Sequence, residues 1–183
     1  MNTAHPADEI VDEHRVIARM LEVLHTLAQV IDRGEPFALD DVAETVHFFR
    51  EFVDLGHHEK EESVLIPELT RAGVDWSSGA LAEIRAEHNQ ERYLVRSLRH
   101  ATLQHAEWTA EERKHFASIA TEFVELQRKH LARENAEMIP LARQKLSADR
   151  VEAVRREFSN IDSTRRASGV DVDVDSLASR ILG

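Results

Sequence analysis

The sequence predicts an all-α protein: an up-down-up-down four-helix bundle with a short helical C-terminal extension. Three observations carry this reading. Only six glycines and four prolines interrupt 183 residues, and helix-favouring residues dominate the rest. Apolar residues recur at spacings that alternate between three and four, the pattern of a helix burying one stripe. Strand-type alternation is confined to Val170 to Val174 (VDVDV), a short and acidic stretch.

The first helix is read from Pro6 to Asp32. Proline in the first turn followed by Asp8 and Glu9 makes a good start, and Gly34 a good stop. Its stripe is Ile10, Ile17, Leu21, Leu24, Ala28 and Ile31, with His14 in the one slot not filled by an apolar residue. The second helix is read from Asp40 to Glu68, broken near Pro67 and closed by Gly73. Val42, Val46, Phe49 and Val53 give way on one face to His57, Glu61 and Val64. The third, from Gly79 to Ala106, carries Leu81, Ile84, His88, Val95 and Leu98. The fourth starts at a capping box from Thr109 to Glu112 and runs to Leu146. Its stripe is Phe116, Ile119, Phe123 and Leu126, then His130, Glu134 and Glu137. Residues 1–146 are read as the bundle and 147–183 as the extension. Within the extension a short helix is expected from Ser147 to Phe158, a polar linker over 159–173, and a last helix from Asp175 to Leu182 that packs on the bundle.

Composition narrows the function classes. A hydrophobic fraction of 42% and a charged fraction of 31% describe an ordinary globular protein. Net charge is −11 with no basic stripe, which argues against nucleic acid. No cysteine is present, which excludes disulfides and thiolate metal sites and makes a reducing cytoplasm the expected compartment. No apolar run is long enough to span a bilayer, and the N-terminus has no apolar signal core. Histidine is the anomaly, at eleven residues against one tyrosine and two tryptophans.

The histidines fall into an internal echo. HHEKEESVLIP (His57 to Pro67) and HLARENAEMIP (His130 to Pro140) align on their prolines, pairing His57 with His130 and Glu61 with Glu134. Residues four apart on a helix lie about 5–6 Å apart at Cβ on one face, so each His-x-x-x-Glu can aim an imidazole and a carboxylate at one centre. His14 and His88 add one imidazole each from the other two helices. Carboxylates can bridge two metal ions while imidazoles fill terminal positions, and a mixed nitrogen and oxygen set suits iron or manganese, with zinc as a contaminant. All six residues fall on apolar stripes. Two buried carboxylates without a counter-ion cost several kcal/mol each, and bound cations remove that cost.

DEHRVI around His14, FVDLGHHEKEESVLIP around His57, AEHNQERYLV around His88 and KHLARENAEMIP around His130 resemble the four signature segments of the hemerythrin-like (HHE) family, in the family's order. The resemblance spans roughly residues 8 to 142. It implies a non-haem di-iron centre: two Fe ions with an oxo or hydroxo bridge, His14, His57, His88 and His130 as terminal ligands, and Glu61 and Glu134 as bridging ligands. Two positions depart from the oxygen-carrying hemerythrins, which have a histidine where this chain has Arg92 and an aspartate where it has Asn135. The pattern H…HxxxE…H…HxxxE is closer to the branch linked to peroxide, nitric oxide or iron handling. One imidazole fewer implies an open or water-filled position on one iron.

Several residues keep two readings at this stage. His58 and Glu62 share the His-x-x-x-Glu spacing one residue along. The apolar stripe, the echo and the distance to the proline favour His57–Glu61, which puts His58 beside the site or hydrogen-bonding behind it, with a surface ion pair still a live reading for His58–Glu62. Glu59 and Lys60 read as solvated or supporting charges. Glu137 reads as an exposed helix-end carboxylate or an extra ligand. Arg92 reads as solvent-facing or paired with Glu91 or Glu87, or else as a guide for anionic ligands. Tyr93 reads as core packing, and His25, His47, His100, His105 and His115 as surface residues. Three functions remain in play: binding or turnover of dioxygen, hydrogen peroxide or nitric oxide inside an apolar shell of Ile17, Phe49, Val53, Phe123 and Leu126; an iron or oxygen sensor or store without turnover; and a plain helical interaction module. Ferritin-like di-iron oxidases fit less well, because they need Glu-x-x-His on two helices.

Overall fold

The structure is a computed structural model that describes residues 5–104, 107–167 and 172–183, and no strand occurs among them. The expectations for His105, Ala106 and residues 168–171 lie outside this range. Helix α1 (Pro6–Asp32) starts at a capping box in which the His5 side chain accepts from the Ala7 N–H at 3.1 Å and Asp8 accepts from the His5 N–H at 3.2 Å. The chain returns through α2 (Leu39–Phe48), two π-helical stretches (Phe49–His58 and Glu61–Leu65) and α3 (Ile66–Arg71). Next come α4 (Gly79–Gln104) and α5 (Ala110–Arg133), the latter opened by the expected Thr109–Glu112 capping box. A third π-helical turn, Glu134–Met138, leads into α6 (Ile139–Lys145), followed by α7 (Ala148–Ala167) and α8 (Val174–Leu182). Within this helical bundle α1 packs along α5, α5 against α4, and α2 against both α1 and α4.

The second helix does not break at Pro67. A proline cannot donate to the carbonyl four residues back, and its ring crowds that carbonyl. The wide turn Glu61–Leu65 places Pro67 in the first turn of a fresh α segment, and Glu134–Met138 does the same for Pro140. Each of these short π turns begins at a glutamate of the His-x-x-x-Glu echo. Local widening therefore falls where the predicted ligands sit, a common place for π turns.

The extension departs from the expectation. Residues 159–167 are helix rather than linker, because their side chains are in use. Phe158 is fully buried, Ile161 packs against the same cluster, and Arg165 lies over the Phe52 ring at 5.3 Å. Gly56 allows that approach, since a Cβ there would stand 3.1 Å from Arg165 Cδ. Helix α8 lies on α1, where Leu177 and Ala178 are buried.

The core is split in two. The larger cluster contains Ile17, Phe49, Val53, Leu98, Phe123 and Leu131, with Leu126 half-buried at its edge. The smaller contains Ile10, Leu65, Ile84, Met138 and Phe158. Between them each long helix contributes polar residues: His14 between Ile10 and Ile17, His88 between Ile84 and Val95, His57 and Glu61 between Val53 and Leu65, and His130 and Glu134 between Phe123 and Met138. If α7 is integral to the smaller cluster, Phe158→Ala lowers the stability of the full chain by about 3 kcal/mol in urea unfolding. A loosely trailing α7 would leave the midpoint unchanged.

Candidate metal centre

The six residues singled out from the sequence converge. His57, Glu61, His88, His130 and Glu134 are fully buried and His14 is 4% exposed. Each carboxylate faces two ways. Glu61 Oε1 lies 3.5 Å from His57 Nε2, and its Oε2 lies 3.4 Å from His88 Nε2. Glu134 Oε2 lies 3.2 Å from His14 Nε2, and its Oε1 lies 3.0 Å from His130 Nε2. Two groups of potential ligands result, His14–His57–Glu61–Glu134 and Glu61–His88–His130–Glu134, and they share both carboxylates.

Protein hydrogen bonds do not satisfy this cluster. His14 Nε2, His57 Nε2 and all four carboxylate oxygens are buried without a hydrogen-bond partner. His88 Nε2 and His130 Nε2 face each other at 3.1 Å. The Nδ1 of each is engaged by a carboxylate, so in the neutral tautomers two lone pairs would point at one another. Donors held about 2.1 Å from one cation and at right angles stand about 3.0 Å apart. The observed spacings of 3.0, 3.1 and 3.2 Å fit that arrangement. The residues present therefore suit a pair of divalent cations, both in donor type and in the charge they leave uncompensated.

Behind the cluster, each of the four imidazoles singled out from the sequence has a polar partner. His57 Nδ1 donates to Glu13 at 2.9 Å, His88 Nδ1 to Glu62 at 2.6 Å and His130 Nδ1 to Glu87 at 3.0 Å. His14 Nδ1 pairs with Asn135 Oδ1 at 3.1 Å. Such partners fix which nitrogen carries the proton and turn the other toward the site. Both departures from the oxygen carriers thus have a supporting place. Asn135 orients His14. Arg92 neither faces solvent nor pairs with Glu91 or Glu87; it grips Glu62 at 2.8 Å and Asp54 at 2.6 Å.

Sequence reasoning underrated His58. It lies beside the site as expected, yet it is 1% exposed, stacks on His88 at 4.0 Å and forms no surface pair with Glu62. His58, His88 and His130 bring ligand atoms within 4.8 Å of one another. A fifth buried imidazole therefore lies against the four, grouped with His88 and His130 and not with Glu61 or Glu134. The signal was the His-His dipeptide. At α-helical pitch only one of the two can face inward, but the wide turns of Phe49–His58 bring both in. Glu91 is a second buried residue that the stripe analysis passed over, 3.2 Å from His58. Lys60, read as a solvated or supporting charge, takes the supporting role: it is 1% exposed and its ammonium donates to Glu13 behind His57. Tyr93 is 62% exposed, so it is not core, and Glu137 is exposed. Among the described residues, His25, His47, His100 and His115 join no such group.

Charge in the cluster follows from burial against pairing. Burial pushes His57 down, but Glu61, Glu13 and Glu134 outweigh it and raise it to about 10. Burial likewise opposes the charge on His88, which Glu134, Glu61 and Glu62 raise to about 12. His130 is raised well above its ordinary value by Glu134, Glu91 and Glu87 against burial. Burial would raise Glu134, but His130, His14 and His57 hold it well below the carboxylate range. His58 is pushed down by burial and by His88, His57 and His130, so it stays neutral.

A helical bundle whose core gathers imidazoles around two shared carboxylates is a histidine–carboxylate metal-binding bundle. Residues 5–142 match the hemerythrin HHE cation-binding domain, and the chain belongs to that family. No curated protein matches the chain significantly.

Metal uptake by this centre is expected to release protons. Without metal, His57 and His88 hold protons up to about pH 10 and 12, and a cation must displace them. Ferrous-ion affinity measured by chelator competition therefore rises from pH 6 to pH 8, about tenfold per pH unit for each proton displaced. In the metal-free protein the stability from these charged imidazoles is complete below 6.5 and disappears as pH rises through about 10 and then 12. Alkaline unfolding of metal-free but not metal-loaded protein checks this sign.

Proposed function

We propose that this protein is a non-haem di-iron protein that binds or turns over a small oxidant: dioxygen, hydrogen peroxide or nitric oxide. One observation carries the reading most: Glu61 and Glu134 each present one oxygen to each of two imidazole groups, an arrangement suited to bridging two ions. In this reading the helices form an up-down-up-down four-helix bundle, and the protein works in the cytoplasm on a diffusible ligand without nucleic acid or membrane.

His14 and His57 would hold one iron and His88 and His130 the other, with Glu61 and Glu134 shared. Bound iron supplies one-electron steps and Lewis acidity that no side chain here can provide. The chain's own residues do the rest. Ile17, Phe49, Val53 and Phe123 line the larger apolar cluster beside the site and keep water out. Glu13, Glu62, Glu87 and Asn135 hold the ring orientations. Glu91, raised by burial to about 7, can hold or yield a proton beside His58 near neutral pH.

Burial of every proposed ligand to 4% exposure or less favours a second reading, an iron or oxygen sensor or store without turnover, because a ligand must pass between packed side chains. Elemental analysis of full-length protein from iron-supplemented cells should give two irons per chain. Glu134→Ala should lose both, since Glu134 serves both groups. A folded Glu134→Ala protein that keeps both irons sinks the di-iron reading. Steady-state peroxide or nitric oxide consumption by the loaded protein separates turnover from sensing.

A further inference from the structure

Three of the inward-facing histidines are backed by the same kind of chain: imidazole, carboxylate, cation, carboxylate. His88 leads to Glu62, then Arg92, then Asp54. His130 leads to Glu87, then Arg133, then Glu83. Both chains stay within the residues that match the family. The chain behind His57 does not. His57 Nδ1 donates to Glu13, Glu13 accepts from Lys60 Nζ at 2.5 Å, and Lys60 reaches Asp162 of α7 at 2.8 Å. Helix α7 lies beyond residues 5–142 that match the family.

Resting on the metal-centre reading above, we propose that α7 is a clamp on the centre, with Asp162 a positioning residue for His57 through Lys60 and Glu13. Lys60 is 1% exposed, its ammonium pairs with Glu9, Glu13 and Asp162, and it lies 5.5 Å from the Phe158 ring centroid. Phe158 and Asp162 both come from α7, so a docked α7 fixes where that ammonium stands. The ammonium in turn fixes Glu13, the acceptor that sets the proton position and the ring angle of His57. Helix α7 also walls a groove of about 550 Å³ onto which Glu9, Glu13 and Asp162 open. Undocking α7 would open that groove, expose Glu13 further and free the ring it orients. Only the His14–His57 half of the centre depends on this chain. Because coupling between two equilibria is reciprocal, metal in that half also strengthens the docking of α7.

The test uses full-length protein loaded anaerobically with ferrous iron, as wild type, Asp162→Asn and Asp162→Glu. Removing a direct hydrogen-bond partner of a ligand typically weakens metal binding about 10- to 100-fold. Asp162 acts two contacts further out, so the lower end is expected. In chelator-driven release, Asp162→Asn should give up one of its two irons about tenfold faster and the other at the wild-type rate. Asp162→Glu should restore slow release. Hydrogen exchange of the α7 amides should slow on iron loading in wild type and not in Asp162→Asn. If both irons leave faster by the same factor, the effect is general loosening and the clamp is overturned. It is equally overturned if wild-type protein binds iron while α7 exchange stays unmoved, a comparison that needs no variant, and the metal-centre reading then stands. Wild-type protein that binds no ferrous iron removes both.

Discussion

The fold is organised around the burial of two carboxylates, Glu61 and Glu134, in the middle of a helical bundle. No hydrogen bond reaches any of their four oxygens. A carboxylate so placed is tolerable only beside positive charge, whether protons on His57, His88 and His130 or cations between the groups. This requirement explains why four helices each place an imidazole at one level and why the apolar core is interrupted there. It also explains why the imidazoles need acceptors of their own: a ring that pivots would leave the carboxylates uncovered.

Those acceptors form a second ring around the first. Glu13, Glu62 and Glu87 are themselves neutralised by Lys60, Arg92 and Arg133. Charge therefore alternates outward from the centre to the surface, and each layer compensates the one inside it. Lys60 is buried, and the Arg92–Glu62 and Arg133–Glu87 pairs are half-buried. Here their role is orientation. Glu62 is held well down, at about 2, because the His88 and Arg92 hydrogen bonds outweigh the burial that would raise it, so it remains an acceptor at any physiological pH.

Much of this was legible in the sequence, for identifiable reasons. Both ends of α1 and the start of α5 follow from local capping chemistry, and His14, His88 and the two His-x-x-x-Glu pairs stand out because polar residues on an apolar stripe break the period. What escaped notice depended on departures from that period. The two short π turns fall just before Pro67 and Pro140, while the Phe49–His58 stretch has no proline close behind it; a uniform 3.6-residue repeat hides all three and with them the burial of His58. The length of α7 escaped because its later residues, Asp162 and Arg165 among them, look like linker when read locally. They are helical because Lys60 and Phe52, about a hundred residues earlier, give them partners. Arg92 and Asn135 were noticed as differences from a pattern, but what they touch could come only from three dimensions.

The split core has a mechanical consequence. Two greasy compartments with a charged waist between them share no continuous apolar contact across the middle, so the helices crossing the waist are what tie the ends together. An ion held between the two carboxylates would join all four of those segments, and through them both compartments.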